Sequence, residues 1–70
     1  MVEATQNILE ALMEELNRNK ELLTEYEAIG PAGQFGAMML RQSIKRAEQA
    51  ITESDTVAMI RCYEDLKTNE

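Results

Sequence analysis

All three glycines, the only proline and the only phenylalanine of this chain lie within residues 30–36, in the order Gly-Pro-Ala-Gly-Gln-Phe-Gly. A glycine such as Gly30 can adopt the left-handed backbone conformation that ends a helix, and Pro31 suits the first turn of a new one. The segments on either side are rich in helix-forming residues, with apolar positions at spacings of three and four. This stretch therefore predicts that the chain folds back on itself between two helices.

The apolar periodicity predicts a small all-α domain of three helices spanning residues 1–70. The first helix is expected over about residues 4–29, the second over about 31–53 and the third over about 55–67. The break between the last two contains Ser54 and Asp55, and either residue is a good N-cap for the third helix. The expected architecture is a long amphipathic helical hairpin plus a short third helix.

Two starting points for the second helix fit the sequence. Gly33, Gly36 and Ala37 fall on the same three-four stripe as Leu40, which favours a start near Pro31 with the glycines forming a smooth face against another backbone. Each interior glycine would cost about 1 kcal/mol relative to alanine, and close packing would have to offset that cost. The alternative is a start at Ala37, with Gly36 as the N-cap.

Asn19 interrupts the apolar stripe of the first helix at a position where the spacing predicts a core residue. Two interpretations follow. In the first, the side chain points to solvent because the apolar stripe is wide and imperfect. In the second, it pairs with a polar group across a helix interface and fixes the register of the packed helices at some cost in stability.

A chain of 70 residues buries only about 60% of the surface of its unfolded state. Such a small domain usually needs a disulfide, a metal or a second copy. Cys62 is the only cysteine and there is no histidine, so we expect no disulfide, no metal site and a homodimer that forms a helical bundle. A lone cysteine without a signal-peptide pattern predicts a cytoplasmic protein, and the longest apolar runs, of four residues each as at residues 37–40, are too short to span a membrane.

The net charge is −6, which makes a nucleic-acid or anionic-membrane partner a poor match because those surfaces are negative. Residues 1–30 carry seven glutamates against two basic residues, whereas residues 31–53 have a small positive excess. We expect the acidic first helix to lie beside the basic second helix. The candidate charged surface comprises Glu10, Glu14, Glu21, Arg41, Lys45 and Arg46.

The sequence predicts no enzyme and no cofactor. Without histidine the chain lacks the commonest general base near neutral pH. Cys62 has neither a histidine nor a second cysteine beside it. We expect it to lie in the core or at the edge of the core. Glycine-rich phosphate loops follow a strand and end in Gly-Lys-Ser/Thr, whereas residues 30–36 follow a helix and lack that ending.

An adaptable apolar surface is expected near the turn, because methionine-rich patches often accept protein partners. The alternative is that these residues form core in a homodimer. The candidate residues are Gly33, Phe35, Gly36, Met38 and Met39. Adjacent residues of a helix point in different directions, so one of Met38 and Met39 is expected in the core and the other at its margin.

The expected function is therefore that of a small regulator or accessory subunit that acts through protein–protein contacts with a larger partner or a second copy. One alternative is an acidic inhibitor or nucleic-acid mimic that occupies a basic site on an enzyme. Another is a weak DNA-binding accessory that uses Arg41, Lys45 and Arg46, although three basic residues in an acidic chain make a nucleic-acid partner improbable.

Overall fold

The chain is an all-α domain of three helices in a computed structural model that describes the backbone of residues 2–70 and the side chains of residues 7–70. The helices are α1 (Val2–Ile29), α2 (Gln34–Thr52) and α3 (Thr56–Lys67), with a 3₁₀ turn at Pro31–Gly33. These elements make the domain 89% helical, and the described residues contain no strand. The prediction of a three-helix all-α fold is confirmed. None of the described helices is both long enough and apolar enough to cross a bilayer.

Helices α1 and α2 form an antiparallel hairpin that runs the length of the molecule. At 28 residues, α1 is about 42 Å long, which accounts for the 44 Å long dimension of the domain. Two exposed ion pairs join the helices. Lys20 Nζ lies 3.0 Å from Glu48 Oε2, and Arg41 Nη2 lies 2.8 Å from Glu27 Oε2.

The turn of the hairpin depends on Gly30 and Pro31. Gly30 has φ 89° and ψ −145°, a backbone conformation that is open almost only to glycine. The carbonyl of Gly30 accepts a 2.9 Å hydrogen bond from the N–H of Gly33. Helical backbone therefore begins at Pro31 as a 3₁₀ turn and continues as α-helix from Gln34, so the alternative start at Ala37 is wrong.

The connection between α2 and α3 is a tight turn with a positive-φ residue at its centre. The N–H of Ser54 donates to the carbonyl of Ile51, and the N–H of Asp55 donates to that of Ala50, both at 3.0 Å. This pair of bonds is the Schellman arrangement at a helix C-terminus, and it places Ser54 at φ 53°. Asp55 then caps α3, because its Oδ1 accepts a 3.1 Å bond from the N–H of Ala58.

All three helices pack against one another around a core of leucine, isoleucine, methionine and alanine. Alanines on α2 allow its backbone to approach its neighbours closely. The buried residues of this cluster are Leu12, Leu16, Ile44, Ala47, Ala50, Met59 and Leu66.

Helix α3 is shorter than the hairpin that it packs against. It ends at Lys67, where Leu66 lies against Asn19, whereas α1 continues to Ile29, about 15 Å further. We call this part of the hairpin, residues 20–41, the distal end. It consists of two helices, and α3 does not cover it.

Asn19 is fully buried and ties the end of α3 to α1. Its Nδ2 donates to the carbonyls of Glu15 at 2.8 Å and Leu66 at 3.2 Å, and its Oδ1 accepts a 2.9 Å bond from Asn69 Nδ2. Arg18 adds a 2.8 Å bond from Nη2 to the same Leu66 carbonyl. The interpretation that Asn19 pairs across a helix interface is confirmed, and the solvent-facing alternative is wrong.

Candidate protein-contact surface

Gly33 and Gly36 lie on the face of α2 that packs against α1. A Cβ atom at Gly33 would overlap the carbonyl oxygen of Tyr26, and one at Gly36 would overlap the Tyr26 ring. Gly33 is buried and Gly36 is half-buried. These two candidate contact residues are therefore used within the chain, where they allow α1 and α2 to approach each other.

Tyr26 organises the distal end of the hairpin. Its ring fills the space beside Gly36, and its hydroxyl donates to the main-chain oxygen of Glu70. The segment that follows α3 therefore runs along α1, with Asn69 at Asn19 and Glu70 at Tyr26. In the sequence Tyr26 is only one member of the apolar stripe. It is also the sole aromatic residue of α1, a signal that could have marked it.

Phe35, Met38 and Met39 are exposed on one side of α2, and we call these three residues the distal patch. Phe35 is 70% exposed, Met38 44% and Met39 49%. Residues three and four apart are neighbours on a helix surface, so the three side chains form one apolar area. The prediction that one of the two methionines joins the core is wrong, because Ala37 and Leu40 take the core positions of this turn.

Two residues of the distal patch, Phe35 and Met39, are exposed because α3 ends before reaching them. Phe35 and Met39 precede Arg46 by eleven and seven residues, separations that put all three on nearly the same side of an α-helix. Arg46 faces α3, where its Nη1 lies 3.9 Å from Asp65 Oδ2. Met39 lies about 10 Å further along α2 than Arg46. The patch thus continues the α3-facing side of α2 beyond the end of α3.

The three basic residues of the candidate charged surface lie exposed on α2 and differ in their partners. Arg41 pairs with Glu27 of α1 and Arg46 with Asp65 of α3. Lys45 makes no ion pair with any side chain of residues 7–70. Lys45 follows Met38 by seven residues, so it lies on the same side of α2, two turns away.

The acidic residues of the candidate charged surface lie on the outer face of α1. Glu10, Glu14 and Glu21 are exposed, and none of them is ion-paired with the described side chains. Spacings of four and seven place the three carboxylates on one side of the helix. This face is a row of solvated negative charges.

A groove with a volume of about 470 Å³ lies between α2 and α3. Its lining includes Arg46, Val57, Arg61 and Cys62. Burial raises the pKa of the Cys62 thiol above its ordinary value, and the nearby Asp65 carboxylate adds to that rise. The thiol is therefore protonated and weakly nucleophilic near neutral pH. Among the described residues no group of three acidic, histidine or cysteine side chains is arranged to hold a metal ion.

The distal patch lies in a part of the chain without acidic residues. Residues 28–47 contain no aspartate or glutamate, although the chain has 13 acidic residues in all. The described surface thus combines a row of carboxylates on α1 with an apolar and weakly basic area on α2.

No protein-family model matches the chain, and neither a curated protein nor a solved structure matches it.

Proposed function

We propose that this chain is a non-enzymatic regulator or accessory subunit that works by binding another protein through the distal patch. The observation that carries the proposal is the exposure of Phe35, Met38 and Met39 as neighbours on one helix face. Aromatic residues and methionine are enriched where proteins bind each other. A methionine side chain also adapts its shape to a partner.

The position of the patch supports a binding role over a purely structural one. The side chains needed for the fold, Ala37 and Leu40, are already buried in the same turns. Replacing the patch residues with polar ones should therefore leave the fold intact. A cytoplasmic location belongs to the same proposal, supported by Cys62 as a lone cysteine.

The test is retention of proteins from the native host on the immobilised chain. We expect Phe35→Ser to lose partners that the wild-type chain retains. Val57→Ser is the matched control, because Val57 is 61% exposed on α3, away from the patch. Equal retention by Phe35→Ser and Val57→Ser would contradict the proposal. Circular dichroism of both variants checks that the helices are preserved.

Self-association stays a prediction, and the distal patch is the surface on which a second copy would pack. Within the chain, α2 already lies along α1, so the length of α1 alone does not require a second copy. Sedimentation equilibrium at micromolar concentration distinguishes the 8.0 kDa chain from a species of twice that mass. If a homodimer forms through the patch, Met39→Glu should convert it to a monomer.

A second candidate function, mimicry of a nucleic acid or another acidic ligand, rests on Glu10, Glu14 and Glu21 of α1, which are exposed and form no ion pair with the described side chains. In that case Glu14→Gln and Glu21→Gln would weaken binding to a basic partner, and added salt would reduce the loss. Neither substitution should change the free energy of unfolding by more than about 1 kcal/mol, because exposed charges contribute little to stability. Binding that both variants retain in full would exclude this candidate.

A further inference from the structure

From charge and geometry we infer that the partner of the distal patch is an amphipathic helix of another protein, with carboxylates about two turns from its apolar residues. The inference rests on the proposed function and specifies the chemistry of the partner. It comes from three features of the described chain: the apolar side chains, the basic residues further along α2, and the end of α3.

The first feature is the distribution of charge along α2. Arg41, Lys45 and Arg46 are the charged residues of the acid-free segment 28–47. The two carboxylates that flank this segment in sequence are both ion-paired, Glu27 with Arg41 and Glu48 with Lys20. Lys45 has no ion-pair partner among the described side chains. A negatively charged partner therefore gains an attraction here that the carboxylate row of α1 would deny it.

The second feature is the distance between the apolar and basic groups. Lys45 follows Met38 by seven residues, about 10 Å along the helix. A partner helix lying along α2 would therefore contact the patch with apolar residues and reach Lys45 with carboxylates placed about seven positions away. This spacing is specific enough to be built into a peptide.

The third feature is the helix that already packs on this side of α2. The side that carries Phe35 and Met39 is the one that meets α3 at Arg46 and Asp65. Because α3 ends at Lys67, a second helix placed beyond it would continue the same packing. The segment after α3 contacts α1 through Asn69 and Glu70, which leaves the α2 side open.

A second copy of this chain is a poorer match for the surface. It would bring the same apolar and basic surface to the interface, with no carboxylate in segment 28–47 to meet Lys45. Its own acidic face on α1 offers one large exposed apolar side chain, Met13, among Glu10, Glu14 and Glu21. With three patch residues the contact is small, and small interfaces are typical of weak, transient complexes.

The experiment titrates the ¹⁵N-labelled full chain with two synthetic helical peptides. Both carry the same three apolar residues at positions i, i+3 and i+4. About seven positions before the apolar residues, at the end that reaches Lys45 when the peptide packs antiparallel to α2 as α3 does, one peptide carries two glutamates and the other two lysines. We expect the glutamate peptide to shift the amide resonances of Phe35, Met38, Met39 and Lys45, and to bind at least tenfold more tightly than the lysine peptide. Salt should reduce this preference.

The matched variant is Lys45→Glu, which should reverse the preference between the two peptides. Lys45 is exposed and unpaired with the described side chains, so its replacement should leave the helix content unchanged. Equal binding of both peptides, or a preference that Lys45→Glu does not alter, would overturn the inference on charge while the patch remains a contact surface.

Two further outcomes separate this inference from the proposed function. If neither peptide binds, and the patch resonances shift with protein concentration in the wild type but not in Met39→Glu, a second copy occupies the patch. That result overturns the inference and leaves the proposed function standing. If neither peptide binds, no self-association is seen and Phe35→Ser retains every host partner, both are wrong.

Discussion

The ring of Tyr26 occupies the space that a side chain at position 36 would need, so Gly36 of α2 and Tyr26 of α1 fit together only because one of them is glycine. One turn earlier, Gly33 makes the same kind of approach to the main-chain oxygen of Tyr26. The two glycines therefore set the distance between the helices at the distal end. At positions 33 and 36 a side chain would clash with α1. At position 30 glycine is needed because the backbone has a positive φ.

Gly33→Ala should destabilise the domain more than Gly36→Ala. The new methyl group at position 33 would meet backbone, which cannot move without shifting a helix, and overpacking of this kind costs about 1–3 kcal/mol. At position 36 it would meet the Tyr26 ring, which can rotate away. Urea unfolding measures both free energies. An exposed helical glycine would instead gain up to about 1 kcal/mol on replacement by alanine, so a more stable Gly33→Ala variant would contradict the packing.

Asn19→Ala should lower the free energy of unfolding by about 1–3 kcal/mol, because it removes the hydrogen bonds of a buried amide and leaves their partners unsatisfied. Asn17→Ala is the matched control. Asn17 is an exposed asparagine on the same helix, and its replacement should change stability by less than about 0.5 kcal/mol. Hydrogen exchange should locate the loss of protection in the last turn of α3. Equal effects of the two substitutions would contradict the role of Asn19 at the end of α3.

Ser54→Gly should stabilise the domain by up to about 1 kcal/mol. Ser54 has φ 53°, and a residue with a Cβ atom pays about 1–2 kcal/mol in the left-handed region. Glycine avoids that cost but has more conformational freedom to lose on folding. Ser54→Ala is the control, since it removes the hydroxyl without relieving the backbone. Thermal melts of the two variants should therefore diverge, and a common melting temperature would count against backbone strain at this turn.

The Cys62 thiol should react slowly with iodoacetamide in the native chain at pH 8 and faster after unfolding in urea. Burial raises its pKa above the ordinary value of 9.0, so less thiolate is present in the native state. Because the pKa of Cys62 is higher in the folded chain than in the unfolded chain, the free energy of unfolding depends on pH. The unfolded chain ionises first, so the stability due to this group is intact below pH 9 and decreases as pH rises through the native pKa. Equal alkylation rates in native and unfolded chains would contradict the shift.

The distribution of residues along the chain determined the number, order and approximate ends of the helices. The apolar positions of α1 and α2 repeat at three and four, and a strong periodicity of this kind specifies a helix locally. Gly30 and Pro31 marked the turn for equally local reasons, because their backbone preferences hold in any fold. Ser54 and Asp55 could be identified as N-cap candidates because that preference depends on neighbouring residues alone, and the structure selects Asp55.

Only the tertiary structure decided how the helix faces are used. Asn19 looked like a defect in an apolar stripe, and it is buried because Leu66 and Asn69 come from 47 and 50 residues further along the chain to meet it. Met39 is exposed because α3 ends before reaching its side of α2, and Met38 is exposed because it lies on the side of α2 that carries the exposed Lys45. Periodicity shows which residues share a face, whereas the neighbour that covers each face depends on contacts between residues distant in sequence.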